Sequence, residues 1–73
     1  MTPQETLDAA AEVRNAIAEA HGDHLFIRQH DAIVSDYHHA IQQNRVRRAE
    51  LLLDFLRRWT IEKKHYLPQP QCG

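Results

Sequence analysis

The chain has 73 residues, a net charge of −1 with neutral histidines, and one cysteine, Cys72. This length excludes more than one domain of ordinary size, and the lone cysteine excludes an internal disulfide. The near-zero net charge gives no general attraction to nucleic acid or anionic membranes. A single core in so short a chain supplies only ~3–5 kcal/mol of net stability. We therefore expect additional stability from a metal, an oligomer or unusually close helix packing.

The charges are divided unevenly between the two halves of the sequence. Residues 1–43 contain seven acidic and two basic residues, a net charge of −5, whereas residues 44–73 contain seven basic and three acidic residues, a net charge of +4. Opposite charges attract, so this division favours an antiparallel arrangement of the halves, within one chain or between two.

The sequence predicts a cytoplasmic protein. The opening stretch, MTPQETLDAA, has neither the basic region nor the apolar region of a signal peptide. No apolar run approaches the ~20 residues of a membrane-spanning helix, so we expect no membrane interaction. One unpaired cysteine is typical of a reducing compartment.

The distribution of helix breakers predicts an all-α fold. Proline occurs only at positions 3, 68 and 70, and glycine only at positions 22 and 73. The sequence between them is rich in alanine, leucine, glutamine, glutamate and arginine, which favour helices, and no segment alternates with a period of two. We predict a small three-helix bundle or a helical hairpin, completed by homodimerisation.

The first helix is predicted over residues 3–21. Thr2 followed by Glu5 three residues later forms a capping box, Pro3 suits the first helical position, and Gly22 is a typical stop. The predicted apolar face of this helix consists of Leu7, Ala10, Ala11, Ile17 and Ala18, with Val13 beside it.

The second helix is predicted over residues 24–43, with Asp23 as its N-cap. Residues at helical spacing place five side chains on one face, which we assign to the core or to a dimer contact: Phe26, His30, Ile33, Tyr37 and Ile41, flanked by Ile27 and Val34.

The third helix is predicted over residues 45–66, and residues 68–73 are predicted to be a disordered tail. The core or dimer residues at its centre are Leu52 and Leu56, together with Trp59, flanked by Ala49, Leu53 and Thr60. Only Asn44, a possible N-cap, separates this helix from the one before it. The alternative is one continuous helix over residues 23–66, which would pair with a second copy of the chain.

The six histidines do not form a recognisable metal site in the sequence. His21 and His24 have an i, i+3 spacing, but the predicted helix boundary falls between them, and adjacent His38 and His39 diverge on a helix. Glu62 and His65 match the Glu-x-x-His spacing of di-iron carboxylate bundles, yet inward-facing partner carboxylates are missing. We expect no metal and no cofactor, with Glu62 and His65 as the remaining candidates.

The sequence gives no arrangement typical of an enzyme. Ser35 is the only serine, and its acidic and histidine neighbours lie close in sequence on one helix, where side chains diverge instead of converging as a triad. There is no glycine-rich phosphate loop. We therefore predict a protein without catalytic residues.

The third helix carries more apolar side chains than one core needs, which indicates a binding surface for another protein. The residues assigned to partner binding are Leu51, Phe55, Arg57, Arg58, Trp59 and Ile61. Trp and Arg are common in binding hot spots. The competing interpretation is that a tightly wrapped bundle buries both apolar stripes of this helix. We interpret the chain as a protein–protein interaction module: an adaptor, an inhibitor or a regulatory subunit, and a homodimer.

Two other functions remain open from the sequence. The segments NRVRR and LRRW could serve a DNA-binding accessory factor, although Glu50 and Asp54 dilute the positive charge of the same helix. A metal-binding helical dimer using Glu62 and His65 is the other alternative.

Overall fold

A computed structural model describes residues 2–67 of the protein as three helices packed together. They are α1, Pro3–His21; α2, Leu25–Gln42; and α3, Val46–Lys64. No strand occurs among these residues, and the predicted all-α bundle is confirmed. The alternative of one helix over residues 23–66 is wrong, because the chain turns at residues 43–45. The predicted tail, residues 68–73, lies outside the described residues.

Both ends of α1 follow their local sequence signals. The Thr2 hydroxyl accepts a hydrogen bond from the Glu5 amide at 3.2 Å, and the Glu5 carboxylate accepts one from the Thr2 amide at 3.3 Å. The bond from the Thr2 amide, followed by the nearby Thr2 hydroxyl, lowers the pKa of the Glu5 carboxyl. The two backbone amide bonds together form the predicted capping box. At the other end, Gly22 has a φ of +70° and donates its N–H to the Ala18 carbonyl at 2.9 Å.

The start of α2 differs from the prediction. His24 is the N-cap, because its Nδ1 accepts a hydrogen bond from the Phe26 amide at 3.1 Å. Asp23, the predicted cap, instead pairs with Arg28 at 3.1 Å. A ring nitrogen can accept this bond only when it carries no proton, so His24 caps the helix as a neutral imidazole. The helix begins one residue later than predicted.

The turn between α2 and α3 is built on Asn44, which has a φ of +57°. The Arg45 amide donates to the Ala40 carbonyl at 2.8 Å, and the Asn44 amide donates to the Ile41 carbonyl at 3.1 Å. This pair of bonds is the Schellman motif, in which a residue in the left-handed conformation ends a helix. Asn44 therefore ends α2 instead of capping α3, whose N-cap, Arg45, makes no side-chain capping bond.

The core lies where the three helices meet, and α3 contacts both of the others. Its buried side chains form two adjoining clusters. The larger contains Ala10, Val13, Ile17, Ile27, Ile33, Leu56 and Trp59. The smaller contains Tyr37, Ala40, Ala49 and Leu53. Two buried polar side chains, Thr6 and His30, complete the interior.

The residues assigned to the core or to a dimer contact differ in their burial. Ile33, Tyr37 and Leu56 are buried, as is His30, whereas Phe26 and Leu52 are only partly buried beside the core. The exception is Ile41, which is 49% exposed. It occupies the last turn of α2, where Ala40, about 100° around the helix, takes the position that faces the core.

The structure of this turn leads to a stability prediction. Asn44→Ala should lower the free energy of unfolding by about 1 kcal/mol, because alanine tolerates the left-handed conformation poorly, and Asn44→Gly should retain or raise it. Gln43→Ala is the matched control, since Gln43 has a φ of −92°. Urea unfolding followed by circular dichroism measures all three. A more stable Asn44→Ala would contradict the turn and support a continuous helix.

Candidate interaction surface

The outward side of α3 carries an apolar pair flanked by charges. Leu51 is 57% exposed and Phe55 is 58% exposed, although both are large hydrophobic residues. Side chains three or four residues apart share one face of a helix. One row of exposed side chains therefore follows this face, and we call it the α3 stripe: Arg48, Leu51, Phe55, Arg58 and Glu62.

A groove between α2 and α3 borders the stripe. Its volume is about 540 Å³, and Gln29 and Ile33 line it on the α2 side. On the α3 side it is lined by Phe55, Arg58, Trp59, Glu62 and Lys63. The buried Ile33 and Trp59 give the groove an apolar floor, while charged side chains stand at its rim. The predicted binding residues did not include Gln29, Lys63 or Arg48. Gln29 lies one helical turn before Ile33, and this spacing is the signal that could have identified it.

Trp59 belongs to the core more than to the surface. It is only 4% exposed, and its ring centroid lies 5.3 Å from that of His30. The sequence placed Trp59 both at the centre of α3 and among the partner-binding residues. Its burial means that it can reach a partner only along the edge that lines the groove.

Ile61 and Arg57 lie on the other flank of α3. Ile61 is about 120° from Phe55 around the helix. It lines a separate groove of about 130 Å³ against α1, formed with Thr6, Ala9, Arg57 and Thr60. The six residues predicted to bind a partner are therefore not one surface. Phe55 and Arg58 line the groove against α2, and Leu51 is exposed one turn before Phe55. Arg57 and Ile61 line the groove against α1, and Trp59 is buried.

Arg57 ties α3 to α1. Its Nε donates to the Thr6 hydroxyl at 3.2 Å, and its Nη1 donates to the Asp54 carboxylate at 3.0 Å. Thr6 is buried, and its hydroxyl also donates to the Thr2 carbonyl at 3.3 Å, so this hydroxyl is hydrogen-bonded both as donor and as acceptor. Part of the arginine charge that suggested nucleic-acid binding is thus engaged within the bundle.

His30 connects the core to an ion pair on the surface. Its Nδ1 lies 2.9 Å from Asp31 Oδ1, and Asp31 also pairs with Arg14 of α1 at 3.3 Å. An ionised carboxylate only accepts hydrogen bonds, so Nδ1 donates. This bond and, to a smaller degree, the Arg14 guanidinium lower the pKa of Asp31. Within residues 2–67, His30 Nε2 and Trp59 Nε1 are buried and have no hydrogen-bond partner.

The two metal-ligand candidates, Glu62 and His65, do not belong to a cluster of potential ligands within residues 2–67. Glu62 and His65 are exposed at the C-terminal end of α3. In the described part of the chain, no group of three or more His, Cys, Asp or Glu side chains could hold a metal ion.

Where the start of α2 meets the end of α3, two aromatic rings lie close to the Lys63 amine. The ring centroids of Phe26 and Tyr66 are 5.2 Å apart, and Lys63 Nζ lies 4.3 Å from the centroid of Phe26. This contact is a cation–π interaction, and the sequence pattern did not reveal it.

Comparisons with protein-family models, with curated proteins and with solved structures found no match. None of the helices formed by residues 2–67 is long and apolar enough to cross a membrane. A functional interpretation therefore depends on the chemistry and geometry of the side chains.

The hydrogen bonding of Asp31 predicts a pH dependence of stability. Its pKa is lower in the folded chain than in the unfolded chain, so its contribution to stability is present above about pH 4 and is lost as the pH falls through the folded value. Asp31→Asn should be less stable than the wild type at pH 7, and the difference should shrink by pH 3.

Asp36→Asn provides the control for this measurement, because Asp36 is an exposed aspartate on the same helix. Urea unfolding at a series of pH values compares the three proteins. A difference between wild type and Asp31→Asn that does not change with pH would contradict the role assigned to this carboxylate.

Proposed function

We propose that the chain is a protein–protein interaction module that binds its partner through the α3 stripe and the adjacent groove. It would act as an adaptor, an inhibitor or a regulatory subunit, by occluding or holding another protein without breaking a bond. The observation that carries this proposal is the exposure of Leu51 and Phe55, one helical turn apart, with Phe55 lining a groove that has an apolar floor.

The exposed apolar side chains provide the binding energy in this proposal. Fully burying a leucine or phenylalanine side chain contributes about 1.5–3 kcal/mol, and Leu51 and Phe55 are each more than half exposed. Together they can contribute a few kcal/mol to a complex. Most interfaces depend on a few such anchors at their centre.

The surroundings of these anchors favour a specific contact. Arg58 and Glu62 stand at the rim of the groove, where charged groups select partners and orient them more than they add affinity. The groove floor is fixed, because Ile33 and Trp59 are packed in the core. A rigid floor reduces the conformational entropy lost on binding.

The binding proposal can be tested by substituting the two anchors. Phe55→Asp and Leu51→Asp should each abolish the capture of binding proteins from extracts of the source cells, while the helical circular dichroism spectrum persists. Both side chains are exposed, so a charge there removes apolar contact area without entering the core.

Leu25→Asp is the matched control for these variants, because Leu25 is 61% exposed but lies on α2. It should capture the same proteins as the wild type. The same captured proteins for all four chains would contradict the proposed surface.

A further inference from the structure

We infer that the partner on the α3 stripe is a second copy of the chain, packed antiparallel along α3 about a twofold axis at Phe55. This inference rests on the proposed function, because it assigns an occupant to the same surface. Three features of the stripe support a second copy as its partner: the positions of its charges, the position of Leu51 relative to the groove, and the size of the contact surface.

Two of the three charged residues of the stripe, Arg48 and Glu62, are placed symmetrically about Phe55, whereas the position that mirrors Arg58 is Leu52. Arg48 precedes Phe55 by seven residues and Glu62 follows it by seven, which is about 10 Å along the helix in each direction. An antiparallel second copy crossing at Phe55 therefore brings Arg48 of each chain opposite Glu62 of the other. A parallel copy would bring like charges together. Charge complementarity thus selects the antiparallel arrangement.

The same axis places Leu51 over the groove of the second copy. Leu51 precedes Phe55 by four residues, and Trp59, on the groove floor, follows it by four. In the antiparallel pair, position 51 of one chain lies opposite position 59 of the other. The exposed leucine of each chain then covers the apolar floor of its neighbour, and the two Phe55 rings meet at the axis. A contact of this kind is isologous, so one surface satisfies both copies.

The Glu62 carboxylate is positioned for such a contact. Its side chain is 68% exposed, and Lys63 Nζ approaches it only at 4.0 Å. The Lys63 amine also lies over the Phe26 ring, which limits how closely it can pair with Glu62. An arginine of a second copy, with its planar guanidinium, offers a better-matched partner for a carboxylate.

The size of the contact sets the expected affinity. The described chain exposes 5466 Å², and a standard interface uses roughly 800 Å² of each partner. The stripe runs about 20 Å from Arg48 to Glu62, so together with the groove it forms a small contact, and small contacts are typical of weak and transient complexes. Self-association should therefore be visible from about 10 μM to about 1 mM.

A charge-exchange experiment tests the inference. Sedimentation velocity of the untagged chain compares the wild type, Arg48→Glu, Glu62→Arg, their equimolar mixture and the double variant. Each single variant should self-associate at least about tenfold more weakly, because it replaces two attractive pairs by two repulsive ones. The mixture and the double variant should recover dimers, since positions 48 and 62 of the facing chains again carry opposite charges.

Two features keep this test separate from an effect on folding. Arg48→Glu places an acid in the first turn of α3 and Glu62→Arg places a base in its last turn, and both changes favour the helix dipole. Glu50→Arg is the control: it makes the same change of charge as Glu62→Arg at an exposed position of α3 outside the stripe. It should leave dimerisation within about twofold of the wild type.

The inference is overturned if the wild type remains monomeric over the whole concentration range, or if the mixture dimerises no better than either variant alone. The proposed function has a separate outcome. If the purified chain is monomeric but Phe55→Asp still loses proteins captured by the wild type, the surface binds a different protein and only the inference fails. If neither dimerisation nor capture depends on Phe55, both fail.

Discussion

The packing of α1 and α2 against one side of α3 determines the rest of this structure. Leu56 has no exposed surface, and Trp59 is almost fully enclosed, because these two side chains lie where all three helices meet. Two neighbouring helices can cover only part of the circumference of a third. The opposite side of α3 is therefore left to solvent, and the apolar residues on it, Leu51 and Phe55, are exposed by the geometry of the bundle. Residues 2–67 form three helices, and no fourth helix among them covers these side chains.

Polar interactions fix how α1 sits on this framework. Arg57 reaches from α3 to the buried Thr6 hydroxyl, and Arg14 of α1 reaches Asp31 of α2. The ion pairs form within each half of the sequence: Arg14–Asp31 and Arg28–Asp23 lie in the acidic half, and Arg57–Asp54 lies in the basic half. Each such exposed pair contributes little stability. His30 and Trp59 carry the unsatisfied nitrogen atoms of the core. An unpaired buried polar group is destabilising, so these two nitrogen atoms lower a stability that the small core already limits.

The sequence predicts the helices well because strong local signals mark their ends. The capping box at Thr2 and the glycine after His21 are such signals, and they act through bonds between near neighbours. The N-cap of α2 could not be predicted in the same way, because Asp23 and His24 are both acceptors and their rotamers decide which of them caps. Asn44 was recognised as a break, but its role depends on a positive φ that composition does not reveal.

The candidate surface was harder to predict than the helices. Helical spacing separated Leu51 and Phe55 from the core correctly. Spacing alone could not assign Ile61 to the other flank, and it left Trp59 both at the centre of α3 and among the partner-binding residues. Both outcomes depend on where α1 and α2 lie around α3. The groove has the same origin: Gln29 and Ile33 reach it from another helix. The spacing of apolar residues on one helix does not show on which sides the neighbouring helices pack.

The central claim is that the α3 stripe is a self-complementary docking surface. The most direct measurement is an isotope-filtered nuclear Overhauser experiment on an equimolar mixture of ¹³C-labelled and unlabelled chains, which detects only contacts between copies. The account predicts cross-peaks between the Leu51 methyl groups of one chain and the Trp59 indole of the other. Cross-peaks that involve Ile61 and omit Leu51, or no intermolecular cross-peaks at millimolar concentration, would contradict it.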